Sequence, residues 1–416
     1  MKYLIIGDSA AGVNAAQTIR SKDKEGLITI LSNESIAAYG RPLISYYLSG
    51  KVLPENIFYR NKNFYKKEKI NLFLNTQAQE IDVKNKKVNA AQKEFEYDKL
   101  LIASGSLPLI PQIKNLKEQK NVFTFLTFDE SRKIKESINP DSKVVIAGAG
   151  LIGLKAAEGL YGKVAKITVI DLADRVMASV LDKSAADIIQ NHIEKKGIEF
   201  ILNKSVAEVE GGEKVEKIIL SDAKTLDCDI FIIAVGVRPN ISLAKNAQIR
   251  TSKGIIVNEY MQTSESDIYA AGDCVESLDL ISNESKVLAL WPNAVSQGET
   301  AGANMAGEKK LVPSSFAMNA ISFFGMQLIS AGIIGGSDAD IYVDKNGDKL
   351  RRLNIANDNL IGFVLINDNQ RAGIYTALIN DRVKLSELEY DIKLKDIGLN
   401  VYTKEKRRDK IFGKEE

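Results

Sequence analysis

The sequence predicts an α/β protein made of two similar strand–turn–helix halves followed by a smaller mixed domain, and three observations carry that prediction. Two β-branched apolar runs each meet a glycine-rich turn. Lys2-Tyr3-Leu4-Ile5-Ile6 precedes Gly7-Asp8-Ser9-Ala10-Ala11-Gly12, and Lys143-Val144-Val145-Ile146-Ala147 precedes Gly148-Ala149-Gly150-Leu151-Ile152-Gly153. A second apolar run follows each turn, at 27–31 and at 166–171. Each half then closes on a further buried run, at 99–106 and at 229–236. Apolar runs that end in glycine turns and continue into helices mark βαβ units with a parallel sheet, and their recurrence marks two copies of one fold.

In chain order, the first strand and turn lead to a helix around 15–20 and a strand at 27–31. A polar segment separates these from the strand at 99–106. A connector and helix occupy 114–139, where Pro140 stops the helix. The second unit begins at Lys143, with a helix near 154–161 and a strand ending at Asp171. At 267–273 a short strand delivers Asp273 to another turn, and 293–305 reads as a helix rich in small residues. From about residue 311 glycine-punctuated strands, at 319–324 and 360–366, indicate an α+β domain. The tail, 401–416, is dense in charge and reads as frayed.

Bulk properties narrow the function. The 416 residues are too many for one ordinary domain, and 45% hydrophobic with 26% charged residues is a globular composition. A net charge of +2 argues for neither nucleic acid nor an anionic membrane surface. No apolar stretch approaches the ~20 residues that span a bilayer. The N-terminal apolar run meets Gly7 at once and does not read as a signal peptide. Cys228 and Cys274 are far apart and form no CxxC, which fits a reducing cytoplasm, and both read as small core residues. His192 is the sole histidine, so zinc hydrolysis and Ser-His-Asp chemistry lack their residues, and no metal site is expected. His192 itself, in the helical run 185–196, reads as a surface residue.

A glycine turn between strand and helix offers a pyrophosphate the unpaired N–H groups and positive dipole end of the helix. The second turn has Gly148, Gly150 and Gly153 in the GxGxxG spacing, with Leu151 and Ile152 opening the helix. Asp171 follows at the end of the next strand, where a carboxylate accepts both ribose hydroxyls and repels a 2′-phosphate. The first turn departs from that spacing, because Ser9 stands at the middle glycine position between Gly7 and Gly12, beside Ala10 and Ala11. Its acid is displaced to Ser32-Asn33-Glu34, where Glu34 is either a ribose ligand or an ordinary surface residue. Two such turns imply two dinucleotides.

Five ordered motifs then carry a resemblance: Gly7 to Gly12, Ala103-Ser104-Gly105-Ser106, Gly148 to Gly153, Ala234-Val235-Gly236-Val237-Arg238-Pro239-Asn240, and Ala270-Ala271-Gly272-Asp273. Over essentially its whole length the chain resembles the pyridine nucleotide–disulfide oxidoreductase superfamily, in the branch that reduces rubredoxins, ferredoxins or nitrite-reductase centres. The resemblance implies two Rossmann-like three-layer domains. FAD would sit on 1–112 with 240–310, NAD(H) on 113–239, and an α+β interface domain would span 311–400. It places FAD on the first turn with Ser104, Gly105, Gly272 and Asp273, and NAD on the second turn with Asp171 and Gly236. It leaves a homodimer open.

The segment Tyr39-Gly40-Arg41-Pro42-Leu43-Ile44-Ser45 discriminates within that superfamily. Disulfide-reducing relatives carry a redox cysteine near here, this chain has none, and without a thiolate no disulfide is opened. The segment is similar to the Y-x-R-P-x-x-S of the electron-transfer branches, where Arg41 and Pro42 would line the flavin. The alternative for Arg41 is a solvated turn arginine. Lys155 stands where many relatives have a glutamate near the nicotinamide carboxamide, and Glu158 is the nearest substitute. Trp291 precedes Pro292, Asn293 and Ala294, which the resemblance places at the flavin's pyrimidine end, with a core tryptophan as the alternative. The aromatic and basic stretch 58–67, with Arg60, Lys62, Lys66 and Lys67, either receives an acidic electron carrier or is a solvated face.

The expectation is a cytoplasmic flavoenzyme in which NADH gives a hydride to flavin N5. No side chain acts as catalyst, and a rubredoxin, ferredoxin or other iron–sulfur carrier takes the electrons. An NADH oxidase using oxygen and a non-catalytic flavin/NADH-sensing subunit are the rival readings.

Overall fold

The computed structural model describes residues 1–117, 119–335, 339–394 and 397–412, so positions 413–416 of the charged tail lie outside the described residues. The chain gathers into two compact units, Met1–Leu109 with Val237–Ser315, and Ile110–Gly236 with Phe316–Glu416.

The first unit is a three-layer α/β domain on a five-stranded sheet, ordered Ile268–Ala270, Lys99–Ile102, Lys2–Ile6, Leu27–Leu31, Ile70–Phe73. Every pairing in it is parallel. Both faces of the sheet are covered at its centre, which is why the inner strands Lys2–Ile6 and Lys99–Ile102 are apolar runs after their first residue rather than alternating ones. Tyr3, Ile5, Ile28, Ile30 and Leu101 pack with the helices Ala10–Lys22 and Trp291–Met305. Leu4, Ile6, Leu31, Leu100 and Ile102 turn the other way, onto Ile81, Val88 and Ala90. Those last residues belong to an antiparallel meander, Ala78–Asp82, Lys87–Ala90 and Lys93–Glu96, within the stretch that reads only as polar in sequence. The small residues of Trp291–Met305 have a steric purpose. A Cβ on Gly298 would stand 2.2 Å from the Ala11 carbonyl oxygen, and one on Gly302 would stand 2.5 Å from that of Ala15, so the two helices touch at backbone distance.

The second unit repeats the plan. Its parallel sheet runs Glu199–Ile201, Lys166–Ile170, Lys143–Ala147, Ile230–Ile233, Val122–Thr124. The meander Val206–Gly211, Val215–Leu220 and Thr225–Asp227 covers one face through Val209, Val215 and Ile218. The chain beyond residue 316 adds a five-stranded antiparallel sheet, ordered Met318–Phe323, Met326–Gly332, Asn359–Ile366, Lys349–Ala356, Asp340–Asn346. This sheet clusters with 110–236 because polar side chains tie the two together, notably Arg352 to Asp182 at 2.8 Å and Glu158 to the Phe324 N–H at 2.9 Å. The tail differs from the expectation of fraying: Lys404–Phe412 is a helix. It is held by Lys406 on Glu387, Arg407 on Glu389 and Lys410 on Asp381. No described helix is long and apolar enough to cross a membrane.

Candidate functional site

The two glycine turns are built alike. Gly7 has φ +114°, and a Cβ there would stand 2.1 Å from the Ala103 carbonyl oxygen. Gly148 has φ +112°, and a Cβ there would stand 2.2 Å from the carbonyl oxygen of Ala234. Only glycine tolerates both the left-handed backbone and the neighbouring strand. What the turns release is a helix start without a cap. Ser9 and Gly150 make no side-chain capping bond, and neither helix has an acid in its first turn. Two other helices do carry a side-chain cap: Thr127 and Glu130 form a capping box, and Asp182 accepts from Ala185 N–H. A pyrophosphate fits both helix starts, since it supplies the acceptors and negative charge they lack.

Around the first turn the structure gathers several of the sequence-predicted residues. A Cβ on Gly272 would lie 3.3 Å from that of Ala11 and 3.8 Å from that of Ala294. Asp273 accepts from the Ser106 hydroxyl at 3.2 Å, and burial pushes its carboxyl above the usual range, with Ser106 and the Arg41 charge pulling it back. Ser104 donates to the Asn240 carbonyl at 2.7 Å, which fixes the turn carrying Gly105. Glu34 is not a free surface residue: one oxygen pairs with Arg41 and the other accepts from Tyr39 OH at 2.7 Å. Arg41 is correspondingly held rather than loosely solvated, while Pro42 is exposed. Asn293 reaches the Leu288 carbonyl at 3.4 Å, and Trp291 meets Tyr59 edge-on, with centroids 5.1 Å apart.

In the second unit, Asp171 accepts from Ala149 N–H at 2.6 Å and from Ala173 N–H at 2.8 Å, so its carboxylate is oriented at the mouth of the turn. Gly236 has φ +126° with open space beside it. Lys155 is paired with Glu158 and donates to the Ser322 carbonyl at 3.3 Å. His192 departs from its surface expectation: it is half-buried, with Nε2 3.2 Å from the Phe324 carbonyl oxygen. A cavity of about 410 Å³ in this unit, lined by Arg175, Asp182, Asn319, Ser330 and Arg352 among others, is separate from the predicted nucleotide residues, none of which lines it. Among the described residues no three His, Cys, Asp or Glu side chains form a metal-binding group.

Sequence reasoning missed three groups in the first unit. Asp8 is buried inside the turn and accepts from Ala38 N–H and Tyr65 OH, each at 2.9 Å. Gln297 accepts from Gly272 N–H at 2.8 Å and donates to the Ser277 hydroxyl at 3.2 Å, steadying the turn before Asp273. Ser106 is the partner of Asp273. Asp8 carried a readable signal, an acid inside a turn suited to an anion. Gln297 carried only its polarity among small neighbours.

Known proteins agree with this geometry. Residues 1–298 match the pyridine nucleotide-disulphide oxidoreductase family, and the chain belongs to it. The chain is 40% identical over 324 residues to an NADH oxidase of Methanocaldococcus jannaschii, covering 75% of this chain and 72% of that one. It is 31% identical to a rubredoxin-NAD(+) reductase of Pseudomonas putida, covering 76% and 82%. A ferredoxin reductase from Rhodopseudomonas palustris superposes with a TM-score of 0.82 at 28% identity, covering 88% of this chain and 91% of that one. The chain is thus an NAD(P)H-dependent oxidoreductase with FAD and NAD(H) as its cofactors.

Proposed function

We propose that the chain is a cytoplasmic NADH:acceptor oxidoreductase that passes electrons from bound FAD to a small rubredoxin- or ferredoxin-type carrier. In this reading FAD belongs to 1–112 with 240–310, on the Gly7–Gly12 turn, Glu34, Arg41, Pro42, Ser104, Gly105, Gly272, Asp273, Asn293 and Ala294. NAD(H) belongs to 113–239, on the Gly148–Gly153 turn, Asp171 and Gly236, with 311–400 as the C-terminal interface domain. FAD, when bound, supplies the chemistry by accepting two electrons from NADH together and releasing them singly.

The observation that carries this reading is the state of the cysteines. The segment 39–45 has none, and both Cys228 and Cys274 are buried. Burial pushes the Cys228 thiol up to about 12 and raises that of Cys274 as well. Neither supplies a thiolate at neutral pH, so electrons leave from the flavin itself. The side chains' task is then binding and orientation: Asp273, Ser106 and Arg41 at the flavin, Asp171 at the ribose.

Direct transfer to oxygen is the second reading, favoured by the 40% identity to a protein named NADH oxidase. Stopped-flow under anaerobic and then aerobic conditions separates the two. Under the carrier reading NADH bleaches the flavin quickly, and added rubredoxin or ferredoxin is reduced faster than oxygen consumes NADH. If both carriers stay oxidised while oxygen supports rapid turnover, the oxidase reading replaces it.

A further inference from the structure

Asp8 lies between the glycine turn and the loop that carries the other flavin-site residues. Its carboxylate accepts from the Ala38 backbone N–H at 2.9 Å, and Ala38 directly precedes Tyr39 and lies three residues before Arg41. Both oxygens lie 2.9 Å from the Tyr65 hydroxyl, and Tyr65 comes from the short helix Phe64–Lys67. Three elements therefore meet at one buried acid: the turn Gly7–Gly12, the loop 34–41 and the helix bearing Tyr65. Among the described residues no cation pairs with it. Tyr65 is a neutral donor, on which the Arg60 charge acts, and the ionised group that acts on Asp8 is Glu34, another acid, whose own partners are Arg41 and Tyr39. The site it supports receives the doubly negative pyrophosphate of FAD, immediately beside Asp8 in the chain.

We infer that Asp8 is a proton-linked positioning residue of the flavin site: it holds the 34–41 loop against the glycine turn, and it takes up a proton when FAD binds. The inference rests on the assignment of FAD to this turn. Its physics is electrostatic. Bringing a dianion next to a buried carboxylate penalises the ionised form, so the group's pKa rises further in the complex than in the free protein. Burial already pushes the Asp8 carboxyl up to about 6, with the Tyr65 and Ala38 bonds holding it down and Glu34 pushing it higher. At neutral pH the free protein therefore carries Asp8 mostly ionised, and the complex carries it more protonated. The sign follows from linkage. A group whose pKa is raised on binding favours the complex fully below its free pKa, and that advantage is lost as pH rises through its bound pKa. FAD affinity should thus fall with rising pH above about 6, by up to tenfold per pH unit between the two pKa values.

Asp8→Asn is the informative variant, because an amide keeps one oxygen for Ala38 N–H and Tyr65 OH but does not ionise. The full chain is titrated with FAD across about pH 6 to 8.5, following flavin fluorescence. Calorimetry in two buffers of different ionisation heat counts the protons taken up. The wild-type protein should bind more weakly as pH rises and take up a fraction of a proton near neutrality. Asp8→Asn should bind with a flatter pH profile and lose that uptake. Comparison with this variant separates Asp8 from Asp273, the other buried carboxyl of the site, whose contribution persists in both proteins. Tyr65→Phe provides a second check. Losing a donor to the carboxylate should move the fall in affinity to higher pH without removing it. A wild-type profile with no pH dependence and no proton uptake overturns the inference, as does an Asp8→Asn profile identical to wild type. Failure of FAD to bind either protein at any pH overturns the flavin assignment together with it.

Discussion

Glu158 accepts a hydrogen bond from the backbone N–H of Phe324 at 2.9 Å, and its other oxygen is paired with Lys155. The carboxylate is therefore committed to the hairpin between the strands Met318–Phe323 and Met326–Gly332. Lys155 reaches the same hairpin through the Ser322 carbonyl, and Tyr161 meets Phe324 edge-on at 5.3 Å. The helix that opens at the second glycine turn thus fastens the C-terminal sheet. A Glu158 waiting to accept the nicotinamide amide, as the sequence suggested, would first have to leave these partners.

Removing one member of this pair leaves the other buried and uncompensated, since both side chains are only 12% exposed. Glu158→Ala should lower the stability of the second unit by on the order of 3 kcal/mol. Replacing both, Lys155→Met with Glu158→Leu, should cost less than the single change. Denaturant unfolding of the FAD-loaded protein measures both. A single change that costs no more than the double would show that the pair does not act as a unit.

Asp171 should set the nucleotide preference. Its carboxylate is tied to the turn by Ala149 N–H and to its own loop by Ala173 N–H, and a 2′-phosphate brought there meets like charge. Steady-state kcat/KM should favour NADH over NADPH by at least roughly tenfold. Asp171→Asn should narrow that ratio while keeping an acceptor for Ala149. A preference for NADPH in the unaltered protein would refute the argument.

The parallel sheets and their glycine turns were legible because their cause is local. Ile5, Ile6, Val145 and Ile146 are β-branched and buried on both faces, and Gly7 and Gly148 stand where no Cβ fits. The antiparallel meanders were not legible: Lys87–Ala90 alternates, but its partners place charges on the solvent face, so the stretch reads as polar. The helix Lys404–Phe412 was misread for a similar reason, because Glu387, Glu389 and Asp381, which hold its charges, come from another part of the chain. Asp171 and Asp273 were singled out from their place after a strand, which is a sequence property, and the structure shows their local partners, Ala149 N–H and the Ser106 hydroxyl. The commitments of Asp8, Glu158 and His192 depend on partners 30 to 166 residues away and were not visible.

Activity should be independent of thiols. Cys228 and Cys274 are buried core residues, and Cys274 donates only to backbone carbonyls, those of Ile102 and Ala271. The double change Cys228→Ala, Cys274→Ala removes two small buried groups and should cost about 1–2 kcal/mol of stability. NADH-dependent dye reduction per bound FAD should stay within about twofold of wild type. Loss of that activity with FAD still bound would show that a cysteine takes part.

Transfer to a protein carrier should depend on the basic face of the first unit. Lys62, Lys66 and Lys67 are exposed and have no carboxylate partner among the described residues. Arg60 is fixed rather than free: it bonds Asn14 at 2.9 Å and Gln17 at 3.0 Å, and it stacks on Tyr59 at 4.0 Å. Tyr59 in turn meets Trp291, so an aromatic pair accompanies the exposed positive charge of this segment. An acidic carrier drawn to that face is steered by long-range attraction, which salt screens. Its reduction should fall by roughly tenfold between about 50 and 500 mM salt, while reduction of a small neutral dye changes little. Lys66→Glu with Lys67→Glu should slow the carrier selectively and flatten its salt dependence, leaving NADH bleaching of the flavin unchanged. Stopped-flow reduction of a rubredoxin and a ferredoxin over a salt series measures all three quantities. Carrier reduction that ignores both salt and charge reversal would place the docking face elsewhere.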